Sequence, residues 1–116
     1  MSIRRTKHIK LFAYSVTLIV ADKLPNEAAE LNSDLDKDTP AACIAEGRKA
    51  WVLIRRKDCS VSLLAHEMGH AASFLLETIG ARPTVADDEV HAYITEYLMS
   101  WAMKVLRKAN IKVLQE

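Results

Sequence analysis

LLAHEMGHAA, residues 63–72, sets His66, Glu67 and His70 inside a single short stretch of chain. On a helix, with roughly 100 degrees between successive residues, His70 falls about 40 degrees from His66 and one turn further along. Both imidazoles then point the same way, at a spacing suited to one zinc ion. Glu67 stands about 100 degrees from His66, beside the ion without having to bind it. A carboxylate there can take a proton from water. A purely structural metal site has no need of such a base. Leu64, Met68, Ala71 and Leu75 gather on the opposite side, which is the face a core would claim. Gly69 occupies the remaining flank, where a missing side chain permits close packing of a neighbouring backbone. Histidine pairs four apart also arise by chance on solvated helices. The glutamate in its slot and the apolar surroundings favour a metal site.

The pattern extends in both directions. VSLLAHEMGHAASFLLETI, residues 61–79, keeps helical periodicity, with Ser60 as its cap and Gly80 and Pro83 as its stop. A second helix is predicted over 87–108, capped by Asp87 or Asp88, with Asn110 loosening its end before a short apolar tail. Two histidines leave a zinc site incomplete, so this helix is searched for a third ligand. With Glu89 set at zero, Tyr93, Glu96 and Ser100 fall within about 40 degrees of it, and the apolar face lies opposite. That polar stripe favours Glu89 as the ligand. Glu96 shares the stripe but stands two turns on, roughly 10 Å along the axis, where it could instead orient a histidine. His91 lies at the edge of the apolar side, and Asp88 competes if the helix begins later. Tyr93, one turn past Glu89, could set its hydroxyl near a bound carbonyl. A packing tyrosine between helices is an equally good account of it.

The N-terminal half reads as sheet. Residues 9–21 are rich in Val, Ile, Thr, Phe and Tyr and are predicted as one strand. Residues 41–45 and 51–56 are predicted as two strands joined around Glu46, Gly47 and Arg48. Between them, 22–40 is acidic and turn-rich, a loop or a short helix capped by Asn26. Residues 1–8 form a basic arm with no acid, expected to be flexible and solvated. A small, mostly antiparallel sheet packed on two long helices is an α+β pattern.

Composition sets wider bounds. The 116 residues suit one domain, half of them apolar and about a quarter charged, with a net charge of +1. That balance argues against a nucleic-acid module. The basic ends have no aromatic interleaving and no helix-turn-helix spelling. Cys43 and Cys59 do not make a disulfide framework, which suits a cytoplasmic protein with reduced thiols. The apolar run over 10–21 is too short to span a bilayer.

The motif A-H-E-M-G-H-A resembles the zincin metallopeptidases, whose signature is H-E-x-x-H. The resemblance implies His66 and His70 as zinc ligands and Glu67 as general base. DDEVHAYITEYLMS, residues 87–100, is similar to a segment of the small glutamate-zincins related to phage-repressor-cleaving proteases, E-x-x-A-N-x-F-A-x-x-L-L-M-P. Its leading Glu, a zinc ligand in that family, corresponds to Glu89. Ala92, Leu98 and Met99 follow in similar register, while Tyr93 and Ser100 depart from the usual Asn and Pro. The compactness and the Ala-Tyr spelling also resemble zincin-like proteins of phages and prophages. The resemblance covers about 41–105. It implies a minimal zincin fold and zinc-dependent hydrolysis of a protein or peptide lying along an edge strand from 41–57, with Arg55, Arg56 and Lys57 bordering the cleft. The alternative is a zincin-fold partner-binding or assembly factor whose zinc is mainly structural. Oligomeric state is left open.

Overall fold

The computed structural model describes residues 2–81 and 85–115. It is an α+β fold: a four-stranded mixed sheet, order β1-β2-β4-β3, packed against two long helices. The strands are β1 (Ile3–Ile9), β2 (Tyr14–Ala21), β3 (Ala41–Glu46) and β4 (Lys49–Arg55). The helices are α1 (Pro25–Ala29), α2 (Val61–Thr78) and α3 (Val85–Lys108). β1 pairs antiparallel with β2, β2 parallel with β4, and β3 antiparallel with β4.

The central strands are mostly apolar because both faces of the sheet are covered. Tyr14, Val16, Leu18 and Val20 of β2, with Ala50, Val52 and Ile54 of β4, join Leu64, Met68 and Leu75 of α2 and Leu98, Ala102 and Leu106 of α3 in the main core. Ile19, Ala21 and Leu53 point the other way, onto Leu24 and Ala28. This alternation is the period-two side-chain geometry of a strand. It leaves β3 as one sheet edge and β1 as the other.

Three expectations for the N-terminal half are corrected. The basic arm is not free, because residues 3–9 are β1. Ile3 and Ile9 pack on the core, Thr6 bonds to Thr17 at 2.8 Å, and Arg4 reaches Glu27 and Glu30 at 3.4 and 3.2 Å. The acidic stretch that follows β2 thus meets some of the arm's charge. The single strand over 9–21 is broken by a 3₁₀ turn at Lys10–Phe12 and by Ala13 at φ 49°, which reverse the chain into a hairpin. Asn26 is not a cap. It lies inside α1, whose cap residue is Leu24 and whose first position is Pro25, the slot that tolerates a missing N–H.

The long helices are tied at their ends. Ser60 Oγ accepts the Leu63 N–H at 3.1 Å, the capping bond expected of it. Gly80, at φ 79°, closes α2 with its N–H on Glu77 and that of Ala81 on Leu76. Pro83 lies outside the described residues. α3 begins at Val85, ahead of Asp87 and Asp88, the expected start. Asn110, at φ 56°, ends α3 with the same pair of bonds, Asn110 N–H to Arg107 and Ile111 N–H to Leu106. It therefore seals the helix where loosening was expected. The tail then returns to the start of α2. Leu114 N–H bonds to Cys59 and Val61 N–H bonds to Leu114.

Candidate metal centre

α2 turns its apolar stripe to the sheet and leaves His66 and His70 exposed. Their Nε2 atoms converge to 3.2 Å, with the rings edge to face and centroids 4.7 Å apart. Two nitrogens bound to one tetrahedral zinc at about 2.05 Å would stand about 3.3 Å apart. The pair therefore has the spacing of two ligands of one ion. With Glu67 they form the group of His, Cys, Asp and Glu side chains able to hold a metal among the described residues, with donor atoms within 4.8 Å of one another.

Glu67 differs from the histidines in burial. It is 6 % exposed, on the flank of α2 that meets β3. Burial pushes its carboxyl above the ordinary glutamate value, and the neighbouring His66 and His70 pull it back down. A carboxyl so placed holds a proton more tightly than a solvated one, which makes its ionised form a stronger base. Across from it on β3, Cys43 is half-buried, and its thiol is pushed up to about 12 by burial and then by Glu67. Cys43 and Cys59 are both free thiols.

The opposite flank of α2 meets α3. His91 Nε2 lies 2.9 Å from the Gly69 carbonyl and 3.1 Å from Ser73 Oγ. This ring, rather than a neighbouring backbone, is what approaches Gly69. A Cβ added there would meet His91 Cε1 at 4.0 Å, an ordinary contact. His91 thus spends one ring nitrogen on joining the helices beside the histidine pair. The sequence offered one hint of this, the gap at Gly69, but nothing to say which residue would fill it.

Glu89, Asp88 and Glu96 are exposed on α3, and the structure does not bring them or His91 into the group formed by the triad. Tyr93, with Ile9, Phe12, Val90, Ile94 and Tyr97, lines an apolar groove between α3 and the end of β1. Arg55 pairs with Asp58 at 2.5 Å and Arg56 with Asp22 at 3.2 Å. A cavity of about 780 Å³ opens beside the turns at 10–13 and 46–48, with His8, Lys10, Arg48 and Lys49 on its wall. It shares no residue with the triad, so the chemistry of the side chains, not cavity size, locates the candidate site. Among the described residues, no helix is long and apolar enough to cross a membrane.

Comparison with protein-family models, with curated proteins and with solved structures found no match to this chain.

Proposed function

We propose that the protein is a zinc-dependent hydrolase of peptide bonds, built as a minimal glutamate-zincin. The observation that carries this reading is the buried Glu67 set against two converging imidazole nitrogens. His66 and His70 supply two ligands; Glu89 of α3, which stands outside the group of the triad, is assigned as the third on its register in the glutamate-zincin pattern alone. Zinc held there would make water acidic enough to ionise near neutral pH and would polarise a carbonyl. Glu67 accepts the proton of the attacking water and delivers it to the leaving amine. Its burial suits the first half of that task, since a carboxylate with a raised pKa takes a proton more readily than a solvated one. The substrate, a protein or peptide, runs along the free side of β3, the edge strand that flanks Glu67. Two free thiols support a reducing, cytoplasmic setting.

The test is cleavage of a peptide library read by mass spectrometry. Zinc-loaded protein is expected to cut it, a chelator to stop the reaction, and added zinc to restore it. Zinc-loaded protein that cuts neither peptides nor unfolded protein would instead support the assembly-factor reading, in which the metal only ties the helices together.

A further inference from the structure

Exposed apolar side chains are concentrated at one place on this surface. Six large hydrophobic residues are exposed among those described, and four of them, Leu11, Val90, Tyr93 and Tyr97, sit on or beside the groove between α3 and the end of β1. The groove holds about 300 Å³, and its walls are almost wholly apolar. Leu11 is 86 % exposed and stands on the 3₁₀ turn between Ile9 and Phe12, both of which line the groove. A projecting leucine therefore sits next to a hole of leucine-accepting chemistry. Tyr93 and Tyr97, 67 % and 48 % exposed, are the amphipathic aromatics that interfaces favour.

We propose that this face is a self-complementary interface, and that its occupant is a second copy of the chain related by a two-fold axis. Each Leu11 enters the groove of the other copy. A two-fold contact needs knob and hole on the same surface, which is what the turn and the groove supply. The charges agree. On the β1 side the rim carries Lys7, whose ammonium lies 5.5 Å from the Tyr97 ring centre, and exposed Lys10. On the α3 side, exposed Glu96 stands one turn from Tyr93. A two-fold then sets Lys10 of one copy against Glu96 of the other. The four exposed side chains offer on the order of 400 Å² per copy, taking about 200 Å² for a whole tyrosine. Two such patches, about 800 Å², fall below the roughly 1,200–2,000 Å² of a stable interface, which makes this a weak, concentration-dependent dimer. The same four basic residues in 4–10 weigh against the other route to a dimer, edge-to-edge pairing of β1 with its copy, since like charges would face each other across the seam.

The test is sedimentation equilibrium of the full chain over a wide concentration range. A monomer–dimer equilibrium is expected. Leu11→Glu touches a residue already in solvent, so the fold is retained while the dimer dissociation constant rises by about tenfold or more. Lys10→Glu weakens the dimer, and adding Glu96→Lys to it restores association. A wild-type chain that stays monomeric at every concentration would overturn the proposal. So would a dimer indifferent to Leu11→Glu. None of these residues belongs to the triad, so the result is independent of whether the protein hydrolyses peptides.

Discussion

Replacing His70 with alanine separates the metal from the fold. His66 and His70 are exposed, so in metal-free protein the substitution is expected to change stability by no more than about 0.5 kcal/mol. The effect of zinc is larger. Metal at a hundred times its dissociation constant stabilises the folded chain by about 2.7 kcal/mol. For a domain of this length each kcal/mol moves the melting temperature by about 4 °C, so zinc should raise it by about 10 °C. With one imidazole gone, a hundredfold weaker site at the same zinc concentration retains only about 0.4 kcal/mol, or about 2 °C. The assay is differential scanning fluorimetry of chelator-treated protein with and without zinc. A His70→Ala variant with the full zinc shift would refute the reasoning. So would a metal-free variant several kcal/mol less stable than wild type, since that would mean His70 holds the fold.

Other substitutions test the surroundings of the triad. Because the Glu67 carboxyl sits above its ordinary value in the folded chain, the folded state holds that proton more tightly than the unfolded state does. Its contribution to stability is full below the unfolded value, about pH 4, and is lost as pH rises through the folded value. Metal-free Glu67→Gln should therefore be more stable than wild type at neutral pH, with the gap closing in acid, as urea denaturation at several pH values would show. Ser60→Ala removes the bond to the Leu63 N–H and should cost about 1 kcal/mol, or about 4 °C in the melting temperature, while Ser60→Asp should keep most of it. His91→Ala breaks the joint to Gly69 and Ser73, at a cost of about 1–2 kcal/mol, yet leaves zinc stoichiometry unchanged in elemental analysis. Loss of zinc in that variant would make His91 a ligand.

The motif helix was legible because several local signals agreed on it. Ser60, the apolar stripe through Leu64, Met68, Ala71 and Leu75, and Gly80 each specify the same element, and the structure forms it with those residues in those roles. The β1–β2 hairpin was not legible, because its reversal uses Ala13 in the left-handed region, where glycine or asparagine would have announced a turn. Nor did the basic residues of 4–10 reveal a strand. Charged residues on a solvated edge look like a charged tail until the partner strand is known. At the site, His66, Glu67 and His70 could be placed from spacing alone because one helix holds all three. The contacts of Glu67 with β3 and of His91 with Gly69 depend on how separate elements pack, and helical periodicity carries no information about that. Tyr93 illustrates the same limit. Its stripe on α3 was read from the sequence, but the neighbour of that stripe, the end of β1, was not.

The proposed function requires Glu67 to work as a base beside a metal held by His66 and His70. Glu67→Gln tests this, with zinc content and peptide hydrolysis measured on the same sample. Glutamine keeps the shape and removes the base. About one zinc per chain, as in wild type, is expected, with hydrolysis slower by about a hundredfold or more. Hydrolysis at the wild-type rate with zinc in place would rule out Glu67 as the base.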